Sequence, residues 1–458
     1  MRRSVAGLLV VAAVACRREE PQPREHAGSA QPGVAVPAAV DAAAADPCPK
    51  AEREGSDAPL AWIRDDYAGA LACARARAQP LVLDLWAPWC HTCLSMQATV
   101  FRDPSMAADA KRFVFASLDT DKDQNAAAVA KFALSAWPTF YVVGRDEAVL
   151  SRFVGGGSLA QIHAFLDAGL RGASGGGATG DADAHLLASE RALAVKDVAV
   201  AVTELTAALA AAPADWVRRP DALVSLEMAK LQAGDAAGCL TIAETELDHT
   251  GHAAAASDFL GVAMSCAKAR DKAEPARAAA LRDKAIAKWR ALLADPKAEL
   301  STDDRSDAMA SLREALDDAG KHDDAKAEAE AQRAMLDDAA AKAPTPLAAM
   351  TFNWHRAEVY TYLGRGLDIV PALEKSAADL PDEYDPPARI GWVYMKAKKY
   401  PEAAQWFDKA LAKMYGPRKA RYLGLRADVA HELKDADGEK RFRAEAAELE
   451  KRQAGTGH

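Results

Sequence analysis

The sequence predicts an α/β sandwich near the N-terminus, followed by a long all-α array of helical repeats. Three observations carry this. The stretch Leu81-Val82-Leu83-Asp84-Leu85-Trp86 reads as a buried strand. It breaks at Pro88 and runs directly into the pair Cys90-His91-Thr92-Cys93. Strand-type and helix-type patterns alternate over residues 59–171, and helix-period patterns alone fill residues 182–450.

At 458 residues the chain has room for roughly three domains. Half of it is apolar, with only 6% aromatic residues, and much of the apolar fraction is alanine, a composition suited to closely packed helices. The net charge is −9 and no basic tract is interleaved with aromatics, which excludes nucleic acid as an expected partner. There are seven cysteines: Cys16, Cys48, Cys73, Cys90, Cys93, Cys239 and Cys266. With Cys16 set aside, six remain to pair in an oxidising compartment.

Arg2 and Arg3 precede an apolar run from Val5 to Ala15, the layout of an export signal. The run is shorter than the about 20 residues needed to span a bilayer. Ala13-Val14-Ala15-Cys16 resembles a bacterial lipobox, which implies a signal over 1–16 and lipidation of Cys16. Residues 17–58 are rich in Ala, Pro and Glu and almost lack large apolar side chains, so they read as a disordered tether. Near its end stands Cys48. A bridge to Cys73, in a helix expected over Tyr67–Ala78, would pin the tether to the first domain; two free thiols are the alternative.

Beyond the Cys90–Cys93 turn, the pattern predicts a helix to about Val100, a strand over Phe113–Leu118 and a helix over Asn125–Leu134. A hairpin follows, Thr139–Val143 and Ala148–Val154 around Gly144-Arg145-Asp146-Glu147, then a helix over Ser158–Leu170. If a helix begins at Cys90, Cys93 lies one turn later on the same face. The positive N-terminal end of that helix favours a thiolate. Asp84, a carboxylate between two leucines on a buried strand, calls for a reason to be there. A zinc half-site is the alternative use of C-x-x-C, but no second C-x-x-C exists, so no metal centre is expected.

Residues 59–171 resemble a thioredoxin domain through Trp86-Ala87-Pro88-Trp89-Cys90-x-x-Cys93, Asp84 six residues before Cys90, Trp137-Pro138-Thr139, and Phe153-Val154-Gly155. The resemblance implies the α/β thioredoxin fold. Cys90 is then the attacking thiolate, Cys93 the resolving thiol and Asp84 the proton acceptor for Cys93. It also implies a cis Pro138 and substrate contacts through Trp89, Trp137 and Pro138. Ser117 stands where the family usually carries a lysine beside the aspartate. Thr99-Val100-Phe101-Arg102-Asp103-Pro104 is more similar to the periplasmic reductase branch, which includes the C-terminal domain of the bacterial membrane-embedded disulfide reductase. The direction of electron flow depends on the residues between the cysteines, and His-Thr matches neither the reducing nor the strongly oxidising type.

A Gly-rich linker, 172–181, leads into the helical region. Gly391, Tyr394, Ala403, Phe407 and Ala410 resemble the tetratricopeptide (TPR) pattern, as do Ala357, Tyr360, Gly364 and Pro381. Ser189, Ala201, Leu205, Ala208 and Pro213 fit it near the start. Gly234 and Gly320 mark looser units, and Ala253–Pro296 fits poorly, with longer helices. The resemblance over 182–450 implies a TPR-like solenoid with a face for protein partners. Cys239 and Cys266 fall at helix ends that meet in a hairpin, where they form a disulfide or remain two small buried residues. His249 and His252 read as a solvated loop, and His322 and His355 stand alone in sequence.

The expectation is therefore an exported, membrane-tethered protein thiol–disulfide oxidoreductase, with the reductase direction favoured and no cofactor. It would sit on the periplasmic side of the cell envelope, held by an N-terminal lipid anchor. Its partners would be disulfide-bonded proteins, an upstream membrane or periplasmic thiol donor, and proteins on the TPR face. The alternative is a TPR assembly adaptor whose thioredoxin domain only docks; a reductase serving haem-protein maturation is a third reading.

Overall fold

Strand β2 (Leu81–Trp86) is the centre of a five-stranded sheet because its side chains are apolar on both faces. A computed structural model describes residues 48–132, 134, 136–174 and 181–455, so the signal, Cys16, most of the tether and the centre of the Gly-rich linker lie outside the described residues. The sheet order is β1-β3-β2-β4-β5, with β1 (Trp62–Arg64) and β3 (Val114–Asp119) parallel to β2. The hairpin β4 (Thr139–Val143) and β5 (Val149–Val154) runs antiparallel. Edge strand β1 is absent from the sequence reading: three residues are too few to show an alternation.

Leu81, Leu83 and Leu85 face one side, packed with α1 (Tyr67–Ala76) residues Ala70, Leu71 and Ala74. Val82 faces the other, with Met96 of α2 (His91–Ala98) and the closing helix α5 (Leu159–Ala173), while α3 (Met106–Asp109) and α4 (Ala126–Lys131) complete the layers. The Asp66 carboxylate caps α1 by accepting from Gly69 N at 2.8 Å. Ser158 and Gln161 form a capping box at the start of α5.

The tether ends earlier than its composition suggests. Glu52 pairs with Trp62 in an isolated bridge, Ala58 is buried, and Cys48 is joined to Cys73 of α1 with Cα atoms 4.5 Å apart. Residues 48–58 are thus fastened to the sandwich by backbone hydrogen bonds and a covalent link, neither of which needs large apolar side chains.

The helical array begins with α6 (Asp181–Ala194) and α7 (Val198–Ala211), then α8 (Arg219–Gln232) and α9 (Ala236–Glu246). The longer helices α10 (Ala254–Arg270) and α11 (Pro275–Ala294) follow, then α12 (Thr302–Asp318) and α13 (His322–Lys342). Next come α14 (Pro346–Met350), α15 (Asn353–Tyr362), α16 (Val370–Asp379) and α17 (Asp385–Lys396). The array closes with α18 (Tyr400–Leu411), α19 (Gly416–Glu432) and α20 (Ala436–Gly455). Small residues of the repeat pattern lie inside: Ser189, Ala201, Ala208, Ala357, Ala403 and Ala410 are all buried. Cys239 of α9 and Cys266 of α10 are joined, with Cα atoms 5.7 Å apart.

Gly391 shows why the pattern wants a small residue. A Cβ there would meet the Phe407 ring at 2.6 Å, so α17 and α18 approach only without it. Gly391→Ala is expected to destabilise the chain by about 1–3 kcal/mol through overpacking. In thermal melts Phe407→Leu should recover part of that loss in the Gly391→Ala background, although alone it is destabilising.

Candidate active site

The turn after β2 places Cys90 as the N-cap of α2, with its backbone N–H donating to Ala87 O at 3.0 Å. The Cys90 Sγ accepts from the backbone N–H of Cys93 at 3.0 Å. The two cysteines are joined in the structure, their Cα atoms 5.2 Å apart. On reduction, the same N–H and the unpaired N-terminal amides of α2 face the Cys90 sulfur and favour its thiolate. Cys90 is only 4% exposed and Cys93 2%.

Three indoles enclose the pair: Trp86, Trp89 and Trp137. Trp89 and Trp137 meet edge to face, with centroids 4.9 Å apart. Trp137 Nε1 donates to Thr120 Oγ1 at 2.8 Å, and that hydroxyl donates to Trp86 O at 3.1 Å. The Trp137–Pro138 peptide is cis, and Pro138 O accepts from Gly155 N at 2.8 Å.

Asp84 lies on β2 opposite Ser117 of β3 and Phe140 of β4. It is buried, on the sheet face that also carries α2. Burial pushes its pKa up to about 8; the charge of Arg64 and a hydrogen bond from Gln97 pull the other way without offsetting it. Asp84 Oδ1 and Ser117 Oγ are both buried without a protein partner. The serine in the lysine's place therefore leaves the Asp84 carboxyl without a cationic cross-strand neighbour on β3.

The helical array closes over this site. Asp121, past the end of β3, accepts from Trp89 Nε1 at 2.8 Å and from the Tyr384 hydroxyl at 3.3 Å. Burial pushes Asp121 up to about 6, restrained by the Trp89 hydrogen bond. Tyr415 donates to Asp119 Oδ2 at 2.6 Å, and the Arg418 guanidinium stacks 4.0 Å over Trp89. Gly416, at φ +65°, leaves no space for a Cβ against the Asp121 backbone, so the start of α19 abuts this loop directly.

On its other flank, α2 packs against α12 and α14. His91 Nδ1 lies 3.1 Å from both carboxylate oxygens of Asp303, and His355 Nε2 lies 2.9 Å from Asp303 Oδ1. Burial works against a charged His91, but the Asp303 charge and hydrogen bond outweigh it and raise its pKa to about 9. The reading of His355 as isolated is thus corrected: folding brings it to His91 across 264 residues of sequence. His322, also read as isolated, pairs with Asp317 at 2.9 Å on the surface.

The structure brings Cys90, Cys93, Trp89 and Trp137 into one cluster, with Pro138 following Trp137 and Asp84 on the strand below. Sequence reasoning missed Asp119, Asp121, Asp303, Tyr384, Tyr415 and Arg418. Only the first two carried a local signal, as carboxylates closing an apolar strand.

Residues 61–144 match the family model described as thioredoxin-like, and this part of the chain is a thioredoxin-like domain. Among curated proteins, the thiol:disulfide interchange protein DsbD of Vibrio vulnificus strain CMCP6 is 37% identical over 54 residues, or 12% of this chain. The same protein of strain YJ016 matches equally. The chain spans 9% of the length of these relatives. Among solved structures, a Rap protein complexed with competence and sporulation factor aligns at TM-score 0.32 and 13% identity, covering 60% of this chain and 76% of the other. Pseudomonas aeruginosa pilF aligns at TM-score 0.27 and 16% identity, covering 49% of this chain and 88% of the other. At scores this low neither partner nor activity transfers from them.

The raised Asp84 pKa sets a pH dependence. The carboxyl is neutral in both states below the unfolded value of 3.8, so burial is unpenalised there. Stability is lost as pH rises from that value to about 8. Asp84→Asn removes the loss. Its melting temperature should exceed that of the wild type at pH 8, by the equivalent of roughly 5 kcal/mol at most, and converge with it near pH 4.

Proposed function

We propose that the chain is a protein thiol–disulfide oxidoreductase acting through Cys90 and Cys93, exported and held at the envelope by a lipid on Cys16, with reduction as its direction. The observation that carries the reading is the Cys90 sulfur at the N-cap of α2, with the Cys93 N–H on it at 3.0 Å. The match to DsbD, a thiol:disulfide interchange protein by name, supports an envelope redox role. Among the described residues no helix is long and apolar enough to cross a membrane; the lipid anchor rests on the lipobox-like Ala13-Val14-Ala15-Cys16.

In the reducing direction the Cys90 thiolate attacks a substrate disulfide, forming a mixed disulfide and releasing one substrate thiolate. Asp84 in its ionised form accepts the Cys93 proton, and the Cys93 thiolate attacks Cys90 Sγ. This frees the second substrate thiol and leaves the Cys90–Cys93 disulfide. Two electrons pass to the substrate, and an upstream dithiol donor restores the pair. Trp89, Trp137 and Pro138 form the substrate-facing wall. The helical repeats recruit protein partners, and Cys48–Cys73 and Cys239–Cys266 are structural bridges.

One observation favours a second reading. The dithiol is covered by residues of the array, Tyr384, Tyr415 and Arg418 being tied to its surroundings, as would suit an adaptor whose thioredoxin-like domain docks rather than turns over. The two readings separate in a reductase assay with a disulfide-bonded protein and a dithiol donor. Wild type should turn over and Cys90→Ser should not; equal rates would leave the adaptor.

Cys93→Ser is expected to accumulate mixed disulfides with its clients, seen as reducible adducts on non-reducing gels. Asp84→Asn should slow the release of those adducts by about tenfold to a hundredfold, with the first attack little changed, in single-turnover mixing.

A further inference from the structure

Beside the dithiol, outside the machinery described above, four side chains from three helices converge: His91 of α2, Asp303 and Asp307 of α12, and His355 of α15. Among the described residues their donor atoms all lie within 4.8 Å of one another. His91 Nδ1 stands 3.1 Å from Asp303, His355 Nε2 stands 2.9 Å from Asp303, and the two ring nitrogens are 3.2 Å apart. A tetrahedral cation with ligand bonds of about 2.1 Å holds its ligands roughly 3.4 Å from one another. Three of the four donors are already at that spacing. Asp307 lies wider, 4.0 Å from His91 Nδ1 and within 4.8 Å of the other donors; its 3.8 Å approach to His355 is to Nδ1, the ring nitrogen that does not face Asp303 and His91. The Asp307 side chain is 47% exposed, whereas those of Asp303 and His355 are buried at 1% and 4%.

The chemistry of the set is specific. Two imidazole nitrogens pointing at each other and at one carboxylate share a single point in space, and their lone pairs can all be used there by one cation. Two nitrogens and two carboxylate oxygens suit a borderline divalent ion such as zinc. Asp258 and Asp304 stand close enough to feel the Asp307 carboxylate, although burial raises the pKa of both. The nearby Arg389 is already paired with Asp385 at 2.7 Å. The His91 ring, 27% exposed, and the Asp307 carboxylate, 47% exposed, provide the entry path.

We infer that His91, Asp303, Asp307 and His355 form a binding site for a divalent zinc-type cation, which clasps the active-site helix α2 to α12 and α15 of the helical array. This departs from the sequence expectation of no metal centre. That expectation looked for a second C-x-x-C or for histidines close together in sequence, whereas Asp303 and His355 are 212 and 264 residues from His91. Binding requires an unprotonated nitrogen on each coordinating imidazole, and the ion supplies positive charge to Asp303 in place of the His91 imidazolium.

The test titrates zinc chloride into the full chain with Cys90–Cys93 kept oxidised, read by calorimetry, with cobalt(II) absorption reporting coordination geometry. One ion per chain is expected, in a tetrahedral nitrogen–oxygen environment. His355→Ala should abolish binding. Asp307→Asn, at an exposed position that leaves the fold intact by circular dichroism, should weaken it by about tenfold or more. The Cys90→Ser/Cys93→Ser double variant should bind as the wild type does, so the result stands whether or not the chain is a reductase. Absence of binding, binding indifferent to both histidine and aspartate variants, or binding that vanishes only with the cysteines would each overturn the site.

Discussion

The seam between the sandwich and the helical array depends on one carboxylate. Asp121 is buried, and a buried carboxylate is tolerable only when hydrogen-bonded. Its two donors come from opposite sides, Trp89 from the dithiol turn and Tyr384 from the lead into α17. Neither side satisfies it alone. The requirement to satisfy this group therefore also sets the position of the Trp89 ring, which Arg418 then covers. Two residues earlier, at the end of β3, Asp119 accepts from the Tyr415 hydroxyl and adds a second tie across the seam. A dithiol that elsewhere would face solvent is thus held against the chain's own helices.

The buried acids divide into two groups with different electrical character. Asp84 has no protein partner for one of its oxygens, and burial in an apolar layer raises its pKa to about 8. Asp303 is held well below the usual carboxylate range, burial being outweighed by the charges and hydrogen bonds of His91 and His355. One is placed to exchange a proton, the other to hold charge in place. They stand on either side of the same short helix.

The sandwich was legible because its signals are local. Val82 and Leu83 on one strand, Cys90 and Cys93 one turn apart, and the hairpin around Gly144 each declare themselves within ten residues. The helices α1 and α5 and the strand β4 lie within a few residues of where periodicity put them. Edge strand β1 and the fastening of residues 48–58 escaped because they rest on backbone pairing with distant partners, which composition does not encode. In the array, buried alanines fixed the helix pairs, but nothing local told that Tyr384 would meet Asp121, Arg418 would meet Trp89 or His355 would meet His91. Those residues belong to unremarkable amphipathic helices, and their meaning arises only from the path of the solenoid.

The bond from Cys48 to Cys73 has a mechanical consequence. It closes a loop of sequence separation 25 and attaches the chain's entry point to the middle of α1. Any pull transmitted along the preceding segment enters the sandwich through α1, on the sheet face opposite α2, and bypasses edge strand β1. Tension from a fixed attachment would thus be absorbed by a covalently tied helix packed on Leu81, Leu83 and Leu85. The opposite face, with the cysteines and the seam around Asp121, would carry none of that strain.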